Sequence, residues 1–92
     1  MDENLLTILS MGSEALRIVR DDLDNKIMRE NYLIRSAEAK LERVEPLSNE
    51  FEQTVQIIEE AKHRINSFAN DRHVIHAEIC RREMKYWEKR TD

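Results

Sequence analysis

Residues 40–53 read KLERVEPLSNEFEQ and hold the single proline, Pro46, near the midpoint of a 92-residue chain. Long stretches of helix-forming sequence lie to either side. The fold therefore turns on whether the chain reverses at Pro46 or one helix runs on through it. A proline inside a helix costs about 3 kcal/mol, because it removes a backbone hydrogen bond and clashes with the preceding turn. Pro46 falls at an outward heptad position, which a kinked continuous helix would tolerate. Its neighbours argue for reversal. Glu45 precedes a proline and is pushed away from helical dihedrals. Ser48 and Asn49 can cap a new helix, with Glu50 and Glu52 in its first turn. The stretch predicts a turn near 45–48, between a first helix over about 3–44 and a second over about 48–89.

Composition agrees. Charged residues make up 37% and apolar residues 40%, with one Gly, one Pro and only 5% aromatics. A sheet protein needs more turn formers and more β-branched or aromatic side chains; this balance belongs to long helices and coiled coils. The net charge of −4 argues against a dedicated nucleic-acid binder, which needs a basic excess to meet phosphates. MDENLLTIL (1–9) has acids where a secretory signal carries Lys or Arg. No apolar run reaches the roughly 20 residues that span a bilayer. The lone Cys80 fits a reducing compartment. The expectation is one domain over 1–92 in an intracellular, cytoplasmic or nuclear protein.

Every seventh residue from Leu9 gives Leu9, Leu16, Leu23, Glu30, Ala37, Val44, Phe51, Ile58, Ile65, Arg72, Ile79 and Tyr86, of which ten of twelve are apolar. We call this track d. Track a carries Leu6, Ile27, Ile34, Leu41, Val55 and Ala69 among an equal number of polar residues, and track g adds Leu5, Val19, Leu33, Leu47, Ala61, Phe68 and Ile75. A stripe of a, d and g is wider than two helices can cover, so it predicts association into a bundle.

In a hairpin that sets residue i opposite residue 92−i, tracks a and d interleave: Leu41 meets Phe51, Ile34 meets Ile58, Glu30 meets Lys62 and Ile27 meets Ile65. Beyond about residue 22 the same register pairs Arg20 with Arg72 and Leu9 with Glu83, both unfavourable when buried. There the arms are expected to splay, bend or meet another chain. MGSE (11–14) offers Gly12 as a weak point and Ser13 as a cap, and SFANDRH (67–73) offers a break near 70.

Three motifs carry possible chemistry. His73, His76 and Cys80 have zinc-compatible spacing, but one helix alone seldom supplies a site, and a polar core layer explains His76 as well. RREMKYWEKR (81–90) could lie on phosphates or anionic lipid, although basic residues also favour helix C-termini, and Tyr86 and Trp87 fit packing positions. ALRIVRDDLDNKI (15–27) resembles the opening helix of small all-helical chorismate mutases, with Arg17 at the place of that family's first catalytic arginine. The next two basic positions of the family fall on Ile34 and Glu45, so the resemblance ends before the chemistry.

The sequence therefore predicts an all-α, antiparallel coiled-coil hairpin that associates into a multi-helix bundle, a structural or adaptor subunit and not an enzyme. It is expected to need no cofactor or metal and to partner itself or another helical protein. Its expected interface residues are Leu9, Leu16, Arg20, Leu23, Ile27, Ile34, Leu41, Phe51, Ile58, Ile65, Arg72 and Ile79. The alternative is a module binding nucleic acid or anionic membrane through 81–90.

Overall fold

The computed structural model describes residues 3–90, with side chains described for 4–85. Three helices follow one another: α1 Glu3–Leu9, α2 Ser13–Leu41 and α3 Asn49–Arg90. Helices α2 and α3 pack against each other as a hairpin, and α1 packs on α3 at the open end. At about 1.5 Å per residue the 42 residues of α3 account for nearly all of the 66 Å long axis.

Pro46 reverses the chain. The Ser48 N–H donates to the Glu45 carbonyl at 3.3 Å. Pro46 occupies the second position of this four-residue turn, and Leu47 the third with φ of 68°. That combination marks a type II turn, whose third residue is usually glycine because φ is positive there. Ser48 then caps α3: its Oγ accepts from the Phe51 N–H at 3.1 Å. Helix α2 has already ended at Leu41, where the Arg43 N–H turns back to the Lys40 carbonyl at 3.0 Å. The connection thus spans 42–48 and begins earlier than the sequence implies.

Leu47 is 87% exposed, so its side chain supplies no packing to offset the strain of a left-handed backbone. Leu47→Gly is expected to stabilise the hairpin by about 0.5–1 kcal/mol, the relief of strain less the added freedom of the unfolded chain. Thermal unfolding followed by circular dichroism should show a midpoint a few degrees higher, and an unchanged or lower midpoint would disprove the strain.

The first arm is broken where MGSE predicts. Gly12 sits at the N-cap of α2 in extended conformation, φ −64° and ψ 157°. Ser13 is the first helical residue and not the cap. The break near 70 that SFANDRH offers as an alternative does not occur, since α3 is continuous through Asn70 and Asp71. Neither is Gly or Pro, and their small propensity cost is outweighed by seam residues on both sides of them, Phe68 and Ile75 among them.

Nor do the arms splay beyond residue 22. Leu16, Leu23, Ile75 and Ile79 form the buried cluster at this end, joined by Leu5 of α1. The register differs from the expected one: Glu30 meets Arg64 and not Lys62, Arg20 meets His76 and not Arg72, and Arg72 pairs with Asp24. Helix α3 turns its d and g tracks inward, with Thr54, Ile58, Ala61, Ile75 and Ile79 buried. Lys62, Ala69 and Glu83 of track a are exposed. The shift of up to one helical turn removes the two clashes that the expected register creates.

Candidate interaction surface

Most of the expected interface residues are engaged within the chain. Leu16, Leu23, Ile58 and Ile79 are buried. Ile27, Ile34, Leu41, Phe51 and Ile65 are half-buried along the seam, and Leu9 packs on the cluster at the open end. Arg20 and Arg72 are half-buried and both find partners. The Arg20 Nη1 donates to the His76 Nδ1 at 3.3 Å, and the Arg72 Nε donates to the Asp24 carboxylate.

Thr54 is the core residue that the heptad reading passes over. It is 2% exposed, and its hydroxyl donates to the Glu50 carbonyl one turn earlier at 2.8 Å. That local bond satisfies the hydroxyl and lets it enter an apolar layer. Its position on track g, between Phe51 and Ile58, was the available signal.

Helix α1 doubles back beside the seam. Asn4, Leu5 and Ile8 face Val19, Lys26 and Phe68 across a cavity of about 240 Å³. The Lys26 ammonium lies 5.8 Å from the Phe68 ring centroid at this edge, within cation–π range. Arg82 fastens the other end of the segment. Its Nη2 donates to the Leu9 carbonyl at 2.9 Å, and its Nη1 donates to the Met11 carbonyl at 2.8 Å and the Ser13 Oγ at 3.3 Å.

Arg81 and Arg82 share one carboxylate. The Arg81 Nε donates to Glu78 at 2.8 Å and the Arg82 Nε at 3.0 Å. These bonds, from Arg81 first and then Arg82, hold the Glu78 carboxyl down at about 2, against an ordinary value near 4.5. A depressed carboxyl stabilises the fold fully above its unfolded pKa. That contribution fades as pH falls through the window from about 4.5 to 2. The melting difference between the wild-type chain and Glu78→Gln should therefore be largest near pH 6 and shrink to a small remnant as pH falls to 2; a pH-independent difference would remove the ion pairs from the account. The side chains of Tyr86, Trp87, Lys89 and Arg90 lie outside the described residues.

His76 also approaches Cys80, with Nε2 3.6 Å from Sγ. Arginine can only donate, so the contact with Arg20 makes Nδ1 an acceptor and leaves a neutral ring's proton on Nε2, toward the sulfur. Among the described residues no three His, Cys, Asp or Glu side chains converge as a metal site. None of the helices, among the described residues, is long and apolar enough to cross a membrane.

What the hairpin leaves outside is a second apolar face on α2. Ile18, Met28 and Tyr32 are 64%, 67% and 74% exposed, while Leu16 and Leu23 on the same helix are buried. At 3.6 residues per turn Ile18, Asn25 and Tyr32 recur every seven residues on the side away from the seam, with Met28 beside them. A shallow groove lined by Ile27, Met28, Asn31, Tyr32 and Arg35 flanks this stripe. Leu33 and Ile57 are exposed to a lesser degree, 39% and 41%.

Comparison with known proteins finds no matching family, no matching curated protein and no matching solved structure.

Proposed function

We propose that this chain is a small structural or adaptor subunit that works by helix-on-helix recognition, packing as a coiled-coil hairpin into a larger bundle. The observation that carries the reading is the run of large apolar side chains that α2 leaves in solvent while its opposite face fills the seam. Scattered apolar residues on a surface need no explanation, but aligned ones on a long helix favour a partner. Apolar contacts supply the affinity and flanking charges select the partner.

The alternative, a phosphate or lipid binder acting through 81–90, has less to draw on. Arg81 and Arg82 are already held by Glu78, and Arg82 is committed to the α1–α2 connection. The two readings separate in an extract that contains the tagged chain at its natural level. An assembly subunit elutes far above its own 11.0 kDa in both low and moderate salt and is indifferent to nuclease. Replacing Ile18, Met28 and Tyr32 together by glutamate should return it to small size. Loss of the large species on raising salt or adding nuclease, with no effect of the triple change, would favour the alternative and end the assembly reading.

A further inference from the structure

We propose that the outer face of α2 docks a second copy of this chain, antiparallel, with Asn25 on the twofold axis between the two helices. This rests on the helix-on-helix reading above and names its partner. The stripe is its own electrostatic complement. Its N-terminal half carries Glu14, Asp21 and Asp22, with Arg17 already neutralised by Glu83 at 2.9 Å, and its C-terminal half carries Arg29 and Arg35.

Neither Arg29 nor Arg35 has an ion partner among the described residues. Asp22 reaches Lys26 at 3.1 Å and Asp21 reaches Arg20 only at 3.7 Å, both in largely solvated settings.

Laying α2 against an inverted copy centred on residue 25 brings Ile18 onto Tyr32 and sets Met28 beside Asp21. On the flank, Asp22 comes beside Arg29. Asn25 meets its own copy, a polar pair of the kind that fixes register in helix dimers. Every contact away from the axis occurs twice, as a twofold interface requires. A parallel pairing would instead set Arg29 against Arg29 and the acids against the acids, so the charges select the antiparallel arrangement. Residue 25 is close to the centre of Ser13–Leu41, so the two helices overlap along most of their length and the two hairpins form a four-helix layer.

The test is the molar mass of the purified full chain by light scattering between about 1 μM and 1 mM, the range in which a small interface assembles. The expected result is a concentration-dependent dimer. Arg29→Asp should weaken it by at least about tenfold, and combining Arg29→Asp with Asp22→Arg should restore it, because the swapped charges meet across the axis. Arg29 and Asp22 are exposed, so helicity should stay at the wild-type level in both variants and exclude misfolding as the cause. In a Cys80→Ser background, Asn25→Cys should cross-link to a covalent dimer on mild oxidation, whereas Ile57→Cys should not.

A chain that stays monomeric at the top of the range overturns the second copy as partner. A dimer indifferent to Arg29→Asp, or one that Ile57→Cys links and Asn25→Cys does not, overturns this face and register. The broader reading has a separate fate. A monomeric chain that still elutes from extract as a large, salt-resistant species sensitive to the Ile18, Met28 and Tyr32 replacement retains assembly with a different helical protein.

Discussion

Leu16→Ala will destabilise the hairpin by about 3 kcal/mol, a large share of the 5–15 kcal/mol that holds most small domains folded. Leu16 is fully buried in the cluster formed with Leu5, Leu23, Ile75 and Ile79. Truncation removes three carbons from water-free surroundings and leaves a void that two long helices cannot close without shifting register. The neighbouring control is sharp. Ile18, two residues further on the same helix, is 64% exposed, and Ile18→Ala should cost under about 0.5 kcal/mol in the isolated chain. Urea unfolding of the two variants at a concentration low enough to suppress association gives both numbers. If the two substitutions cost the same, the seam does not lie on the Leu16 face and the architecture fails.

The same contrast shows how far the sequence could be read. The d track placed Leu16, Leu23, Ile58 and Ile79 correctly because an apolar residue every seven positions leaves a helix no other face to bury. The turn was legible for a similar reason: Pro46 and Ser48 act locally, through a fixed φ and a cap. Register was not. Carrying one heptad count through the turn assumes that the turn preserves phase. The positive φ of Leu47 and the cap at Ser48 reset it, so that α3 buries d with g while α2 buries d with a. Lys62, His76 and Glu83 on track a of α3, against Ala61, Phe68 and Ile75 on track g, carried that information.

The Arg20–Arg72 conflict was an artefact of the wrong register, and the half-buried Asp24 beside it had the means to resolve it. The outer stripe of Ile18, Met28 and Tyr32 could not be ranked from sequence. An apolar residue off the main track acquires meaning only once the seam is known to lie on the other side.

The position of α1 was beyond sequence reading altogether, and it sets up the second large effect. Arg82→Met is expected to release α1 from the hairpin, because one guanidinium bonds the backbone carbonyls of Leu9 and Met11 and the Ser13 hydroxyl together. Helix α1 has only seven residues, too few to be stable alone, and it ends with carbonyls that need donors. Arg82 supplies them to Leu9 and Met11 from across the hairpin, and Glu78 fixes the direction of its fork. Hydrogen bonds from a charged donor contribute about 1.5–3 kcal/mol each where water is excluded. Arg82 keeps a quarter of its side chain in solvent, so about 2 kcal/mol for the whole clamp is the reasonable scale.

Methionine preserves the apolar stem and removes only the donors, and Gly12 gives the freed segment a joint to swing on. Amide hydrogen exchange should then rise by about thirtyfold over residues 5–9, the equivalent of 2 kcal/mol, while Ala37 and Ile58 near the turn stay protected as in the parent chain. Arg82→Lys should behave like Met, since a single ammonium cannot reach two carbonyls and Glu78 at once. Protection of 5–9 that survives both substitutions would mean that Leu5 in its apolar site holds α1 unaided, and that the arginine fork only decorates a contact made by burial.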